Sequence, residues 1–274
     1  IFHHKASMHP ERPYLQGFNS EMSPSPSYIV DLGALRRNAE ILKHVADTSG
    51  AKVLLALKGF SLSATFPMLR DFLSGVCASS PHEAQLGREK FSGAGEAHEV
   101  HTFSPAFSEA DFETCLKLSD HMVLNSFAQY ERYGQRIRSA GKELGLRVNP
   151  KYSEGEVDLY DPCAEGSRLG IPIEQFEAHS LEKDGELLID GLHMHTLCEQ
   201  GSDVLERTVA VLEAKLAPLL HKVKWLNLGG GHHITQPDYD IERLIKLLKR
   251  LRDQYGVQVY LEPGEAVAIN TGAM

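Results

Sequence analysis

Eight short apolar stretches recur along the chain at nearly even spacing, and each runs into polar residues or glycine at its end. Most are separated by segments with the apolar periodicity of an amphipathic helix. Strands that alternate with helices in this way form right-handed βαβ units and a parallel sheet. The predicted strands are VLLALKG (53–59), GVCASS (75–80), EVHTFSP (99–105), HMVLNSF (121–127), LGLRVNP (144–150), IDGLHMHT (189–196), VKWLNLGGG (223–231) and VQVYLEPG (257–264).

The number and spacing of these strands favour a closed barrel over an open sheet. From Lys58 on the first strand to Glu262 on the last, strand ends recur about every 29 residues, as in a (β/α)8 barrel of ~250 residues. An open doubly wound sheet places its glycine-rich turn early, whereas here the GGG follows the seventh strand. We therefore predict an α/β fold of the TIM-barrel type, with its active site at the carboxyl ends of the strands.

Lys58 ends the first strand, directly after four apolar residues. A lysine desolvated there would have a lowered pKa and a nucleophilic amine suited to Schiff-base chemistry with a carbonyl group. A side chain that merely extends from the strand end to water is the structural alternative, and this residue alone does not decide between them.

The glycines Gly229, Gly230 and Gly231 predict a phosphate site. Glycines let backbone N–H groups approach an anion closely, and the loop after the seventh strand is a usual phosphate site in barrels. The alternative is a tight turn, which needs one glycine rather than three.

The HMH sequence places His193 and His195 on one face of the sixth strand. With Cys198 and Glu199 nearby, the pair is a candidate metal site, as in metal-dependent barrel hydrolases. A flat imidazole at the barrel mouth can instead stack on an aromatic cofactor ring, and this interpretation is favoured. The prediction is therefore a site without a metal.

Glu262, in LEPGEA, ends the eighth strand. A carboxylate beside a bound heterocycle can keep a ring nitrogen protonated, which is how a pyridoxal ring becomes an electron sink. A salt bridge to Arg147, at the end of the fifth strand, is the structural alternative. A lysine, a stacking histidine, phosphate-binding glycines and an acid together fit one ligand, pyridoxal 5′-phosphate.

The bulk composition excludes several classes of protein. A net charge of −9 argues against a duplex nucleic-acid binder and is compatible with a cationic substrate. The four cysteines show no CxxC spacing, which favours reduced thiols. No apolar run approaches the roughly 20 residues of a membrane span, and no signal peptide is visible, so we predict a cytoplasmic protein.

These motifs resemble those of the alanine-racemase-fold, or fold type III, pyridoxal phosphate enzymes, in the branch that contains ornithine and diaminopimelate decarboxylases. Within the branch they most resemble the carboxynorspermidine/carboxyspermidine decarboxylase family. The resemblance extends from about residue 25 to the end of the chain. It rests on ALKGF around Lys58, SRLG at 167–170, HMHTLCE at 193–199, LNLGGGHHIT at 226–235 and LEPGEA at 261–266.

The resemblance implies a role for each site residue. Lys58 would form the Schiff base with the cofactor and yield to the substrate amine. His195 would stack on the ring, Glu262 would pair with its nitrogen, and Gly229–Gly231 would hold its phosphate. Arg147 would lie near the cofactor, and the reaction would be decarboxylation of a polyamine-type substrate.

Two positions depart from the pattern of these enzymes. Many relatives read EPGR, with an arginine that helps to bind phosphate, whereas Glu265 stands in that place here. A carboxylate would repel the phosphate, so we expect Glu265 to bind an amino group of the substrate. Cys198 falls where relatives often place a phosphate-binding serine, which puts that cofactor contact in doubt.

The predicted organisation has three parts. Residues 1–26 form a natural arm or an artificial extension, residues 27–265 the cofactor-binding barrel, and residues 266–274 the start of a truncated C-terminal β-domain. The resemblance implies a homodimer in which the partner's β-domain completes each active site. Other interpretations are a decarboxylase of diaminopimelate, ornithine or arginine, a non-catalytic pyridoxal phosphate-binding homologue, and the metal-dependent hydrolase.

Overall fold

The computed structural model describes Pro24 and residues 26–92, 98–155 and 161–273. Nearly all of the predicted N-terminal segment, residues 1–26, therefore lies outside the described residues. Among the helices that are described, none is both long enough and apolar enough to cross a membrane.

A closed parallel barrel of eight strands forms the centre of the molecule, which confirms the predicted fold. Together with short strands outside the barrel, the strands of the described residues are β1 (Ile29–Val30), β2 (Lys52–Ala56), β3 (Gly75–Ala78), β4 (Glu99–Phe103), β5 (His121–Leu124), β6 (Glu143–Asn149), β7 (Ile171–Pro172), β8 (Glu182–Lys183), β9 (Glu186–Leu187), β10 (Gly191–His193), β11 (Trp225–Asn227), β12 (Gln258–Leu261) and β13 (Gly272–Ala273). The barrel runs in the order β2, β3, β4, β5, β6, β10, β11 and β12, and β12 pairs with β2 to close it.

Amphipathic helices cover the outside of the barrel. They are α1 (Leu32–Ser49), α2 (Phe66–Leu69), α3 (Pro81–Leu86), α4 (Glu109–Leu118), α5 (Phe127–Ser139), α6 (Ser202–Leu220), α7 (Ile241–Tyr255) and α8 (Glu265–Ala268). Helix α1 begins at its N-cap Asp31, whose side chain accepts hydrogen bonds from two backbone N–H groups, and ends at Gly50 in the left-handed conformation. Its apolar residues Leu35, Ala39, Leu42 and Val45 are all buried.

Among the described residues, two of the connections between barrel strands contain no long helix. A 3-10 turn (Ser63–Thr65) and the four-residue α2 link β2 to β3. Between β6 and β10, the described residues form β7, a 3-10 turn (Ile173–Phe176) and the hairpin β8–β9. The β/α alternation is therefore less regular than in an ideal barrel.

The base of the barrel, at the amino ends of its strands, is filled by the ring of Trp225. Gly145 and Gly191 make room for this ring, since a Cβ atom would lie 2.2 Å from it at Gly145 and 1.9 Å at Gly191. The indole N–H donates to Glu143 Oε2 at 3.1 Å. The interior of the barrel is therefore a packed core at this end.

A charged cluster lies beside Trp225 and is paired within itself. Glu99 accepts hydrogen bonds from Lys52 and from His101 Nε2, the latter at 3.0 Å. The His101 ring stacks on the His121 ring, with 3.8 Å between the centres. Burial, and then the neighbouring His101, lowers the pKa of His121 to about 3, so that ring is neutral at neutral pH.

The two ends of the described chain meet outside the barrel. Strand β1 pairs antiparallel with β13, with Ile29 opposite Ala273. Before it joins β13, the chain forms the short helix α8, which packs against α1. The predicted boundary between residues 265 and 266 falls within α8 and stays a prediction.

Candidate active site

The predicted site residues lie together at the mouth of the barrel, where the strands have their carboxyl ends. In the sheet, His193 pairs with Arg147 on β6 and with Asn227 on β11. Lys58 lies in the turn after β2, close enough to His195 to affect its pKa. Lys58 is exposed, so the expected desolvation of its amine is wrong: the turn carries it past the buried end of the strand into the open mouth.

Glu262 is the centre of the hydrogen bonding in the mouth. Its side chain is 11% exposed, and its Oε2 lies 3.5 Å from His193 Nε2. Its Oε1 accepts a hydrogen bond from Asn227 Nδ2 at 2.7 Å. The alternative salt bridge to Arg147 does not form among the described residues. A neutral amide donor thus holds this carboxylate, and the His193 ring lies beside it.

The protonation states around Glu262 favour a buried anion. Burial alone would raise the pKa of Glu262, but the interactions with His193 and Asn227 outweigh burial and hold it below its usual range. Burial lowers the pKa of His193, which is therefore neutral at neutral pH. Burial and the nearby Glu262 raise the pKa of the Cys77 thiol, which stays protonated.

Arg147 places a buried positive charge beside His195. Its Nη2 donates to the His195 carbonyl oxygen at 3.1 Å, and its guanidinium carbon lies 4.6 Å from the centre of the Phe103 ring. Burial lowers the pKa of Arg147 to about 10, so it is charged at neutral pH. No carboxylate of the described residues lies within ion-pair distance. This charge is therefore available to an anionic ligand.

The His195 ring is neutral. Burial, followed by repulsion from Lys58 and Arg147, holds the pKa of His195 well below its usual value. Its Nδ1 accepts a hydrogen bond from the Gly230 N–H at 3.3 Å. This bond joins the end of β10 to the glycine loop after β11.

All three glycines of that loop are required by packing. A Cβ atom would lie 2.7 Å from the Met194 carbonyl at Gly229, 2.1 Å from the Glu262 carbonyl at Gly230, and 1.9 Å from the Leu197 carbonyl at Gly231. Packing therefore accounts for three glycines without a phosphate, so their number is weaker support for such a site than the sequence suggests.

The hydrogen bonding of the same loop leaves donors for an anion. The N–H groups of Gly229 and Gly230 bond to Asn227 and His195. Those of Gly231 and His232 make no hydrogen bond to any residue that the structure describes. A phosphate could be held by such adjacent free donors.

A second group of charges lies on the rim of the mouth. Glu199, His233 and Glu265 offer ligating atoms within 4.8 Å of one another. Glu265, which is 56% exposed, pairs with His233 at 3.4 Å. Partial burial, and then the negative charges of Glu199 and Glu265, raise the pKa of the Cys198 thiol. The rim is therefore acidic, and a cationic group would be attracted to it.

The metal alternative has partial geometric support. His193, His195 and Glu262 offer ligating atoms within 4.8 Å of one another. Two of these groups already bond within the protein, however, because Glu262 accepts from Asn227 and His195 accepts from Gly230. A buried acid, a neutral imidazole and an unpaired cation fit a heterocyclic anion better than they fit a metal ion.

Several polar strand ends serve the structure rather than the site. Ser80 caps α3 by accepting from the Glu83 N–H. Asn125 binds the backbone of the SRLG loop, accepting from Gly170 N and donating to the Arg168 carbonyl. Asn149 donates to the carbonyl of Leu169 in the same loop.

Sequence reasoning missed three contributors to the mouth, which are Asn227, Cys77 and Phe103. The alternating direction of side chains along a strand could have identified two of them. Asn227 lies two residues before Gly229, and Cys77 lies two residues before Ser79, so each points into the barrel with its strand-end neighbour. What the sequence did not show is which of these side chains meet.

Comparisons with known proteins give close relatives. The chain is 43% identical over 92% of its length to the carboxynorspermidine/carboxyspermidine decarboxylase of Campylobacter jejuni, of which it covers 63%. It is 36% identical over 91% of its length to the carboxyaminopropylagmatine decarboxylase of Synechocystis, of which it covers 62%. No family model matches the chain.

Solved structures agree with these relatives. The crystal structure of Campylobacter jejuni carboxynorspermidine decarboxylase complexed with norspermidine has a TM-score of 0.81 and 42% identity, over 91% of this chain and 62% of that one. Helicobacter pylori diaminopimelate decarboxylase, with a TM-score of 0.74 over 92% of this chain and 66% of that one, shares the fold at 16% identity. The chain thus spans just under two thirds of these proteins, and its similarity to the carboxynorspermidine/carboxyspermidine decarboxylases extends over most of its own length.

Proposed function

We propose that this chain is the cofactor-binding barrel of a pyridoxal 5′-phosphate-dependent decarboxylase that converts carboxynorspermidine or carboxyspermidine into norspermidine or spermidine. The observation that carries the proposal is the ionised, buried Glu262 in the same mouth as the exposed Lys58 and the unpaired Arg147. The similarity to the carboxynorspermidine/carboxyspermidine decarboxylases supports the same activity.

The residues of the mouth fit this cofactor. Lys58 would bind the aldehyde, Glu262 would face the ring nitrogen, and His195 would lie against the ring. The free N–H groups of Gly231 and His232 would hold the phosphate, with Gly229 and Gly230 shaping the loop. Cys198 is exposed nearby and is proposed as a further contact to the cofactor.

Each residue of the mouth has a part in the reaction. The cofactor, when bound, supplies a carbonyl that joins the substrate amine and a ring that takes up the electron pair left by CO2. Glu262 would hold a proton at the ring nitrogen, and Asn227 keeps Glu262 in place. Lys58 would be positioned to move a proton at its Nζ. The neutral His195 ring would exclude water from one side.

The acidic rim supports a substrate with several amino groups. We propose that Glu265 binds an ammonium group of the substrate, with Glu199 beside it. Their spacing around His233 places two carboxylates within reach of one cation. Diaminopimelate, ornithine and arginine carry fewer or differently placed amino groups. The glutamate that replaces the arginine of EPGR therefore favours a polyamine-type substrate.

The assembly is also part of the proposal. We propose a cytoplasmic homodimer in which residues 27–265 form the barrel and a C-terminal β-domain from the partner subunit completes each site. The exposed mouth, with Lys58 in contact with solvent, is consistent with a site that another element covers. The oligomeric state measured by light scattering tests this part.

The activity is tested by CO2 release from a panel of substrates. We expect the highest kcat/KM with carboxynorspermidine or carboxyspermidine. Carboxyaminopropylagmatine is a second candidate because of the 36% identical relative that carries this name. A preference for diaminopimelate, ornithine or arginine would contradict the proposed substrate. A yellow protein that releases no CO2 from any of them would be a non-catalytic binder.

A further inference from the structure

His193 is the least explained side chain of the mouth. It is 2% exposed, on a strand packed between β6 and β11. Its Nε2 lies 3.5 Å from Glu262 Oε2, and neither ring nitrogen makes a regular hydrogen bond to any of the described residues. A buried imidazole without a regular hydrogen bond is costly, so the position of His193 beside Glu262 needs an explanation.

The charges around His193 determine its state. It faces Glu262 from β12, Arg147 from β6, Lys58 from the turn after β2, and His195 on its own strand. Burial and the two cations disfavour a second positive charge, so the ring has a single N–H. If Nδ1 carried that proton, the Nε2 lone pair would face the carboxylate and be repelled. The proton is therefore on Nε2, which can donate to Glu262.

We propose that His193 is a positioning residue that keeps Glu262 ionised and directed at the cofactor, and so keeps the ring nitrogen protonated. The inference rests on the proposed function, because it assumes that pyridoxal phosphate binds in this mouth. Without His193, Glu262 would be less stable as an anion. The proton shared with the ring nitrogen would then move toward the carboxylate.

The test uses the protein expressed from its complete gene and loaded with [15N-pyridine]pyridoxal phosphate, since the 15N resonance reports whether the ring nitrogen is protonated. In His193→Leu we expect the ratio of protonated to unprotonated nitrogen at pH 7 to fall by about tenfold, the effect of one lost hydrogen bond to a charge. His193→Gln, which retains a donor, should stay close to wild type. His121→Leu removes an enclosed histidine at the base of the barrel and should leave the ratio of protonated to unprotonated ring nitrogen unchanged.

The outcomes separate the two proposals. If the wild-type protein forms no coloured complex with pyridoxal phosphate, the proposed function fails. If it does so and His193→Leu leaves the 15N resonance unchanged, the inference about His193 alone is overturned. If His193→Leu does not bind pyridoxal phosphate, the tautomer of His193 is measured instead in the wild-type holoprotein labelled with 15N-histidine. A neutral Nε2–H tautomer at His193 supports the inference, and an Nδ1–H or doubly protonated ring overturns it.

Discussion

The base and the mouth of the barrel contain the same kinds of side chain, but they differ in whether the charged groups have partners within the protein. At the base, Glu99 is bonded to both Lys52 and His101, so opposite charges meet inside the protein. At the mouth, Lys58 is exposed and Arg147 has no carboxylate within ion-pair distance among the described residues. Charges paired within the fold stabilise it, whereas charges left without a protein partner are available to a ligand.

The largest expected contrast is between Lys58, in the turn after β2, and Lys52, the first residue of β2. Lys58→Ala should remove the yellow colour of the holoprotein and lower kcat by roughly a hundredfold to ten-thousandfold, because the cofactor and the transferred proton lose their amine. Lys52→Ala should leave kcat near wild type but cost about 1–2 kcal/mol of stability, because Glu99 loses a charged partner. Absorbance, CO2 release and urea unfolding measure these effects. A strong loss of activity in Lys52→Ala would contradict the expected difference between the two lysines.

The next effect is a pH dependence of stability that arises at the base. The pKa of His121 is about 3 in the folded protein and near 6.5 in the unfolded chain. Between these values only the unfolded chain binds the proton, so the stability falls as the pH falls from about 6.5 toward 3.

His121→Phe should keep the stacked ring and reduce this slope by about 1 kcal/mol per pH unit. Urea unfolding at pH 5 and pH 7 measures it, with the exposed His82→Gln as the control that should leave the slope unchanged. Equal slopes in the wild-type protein and in His121→Phe would show that this ring is not the origin of acid sensitivity.

The smallest effect concerns the rim, where the Glu265–His233 pair is the exposed counterpart of Glu99–His101. Glu265→Gln should raise the KM for carboxynorspermidine by about threefold to tenfold with kcat little changed, because an exposed ion pair to the substrate is worth about 1 kcal/mol. Glu186→Gln, in the distant hairpin β8–β9, is the matched control. An unchanged KM in Glu265→Gln would remove this residue from the substrate site.

The fold could be predicted because each barrel strand is an apolar run with a polar end. Helix α1 could also be predicted, because it has an apolar stripe that faces the core, begins after Asp31 and ends before Gly50. The irregular connections before β3 and β10 could not be predicted, because short turns and two-residue strands carry almost no periodic signal.

The candidate site was only partly predictable, for a geometric reason. The alternation of β10 indicates that His193 and His195 share a face, but their separate partners, Glu262 and Gly230, come from other strands. Which side chains meet depends on the register of a closed barrel, and no local pattern encodes that register. The exposure of Lys58 likewise depends on a turn that lifts it from its strand.

The packing of Trp225 also gives the molecule an optical probe. It is the only tryptophan of the chain. It is enclosed at the base of the barrel, and the four residue steps from Trp225 to Gly229 span about 13 Å of extended chain. A chromophore held at the mouth that absorbs where indole emits will quench this single emitter. The fluorescence of the unlabelled protein therefore reports the occupancy of its own site.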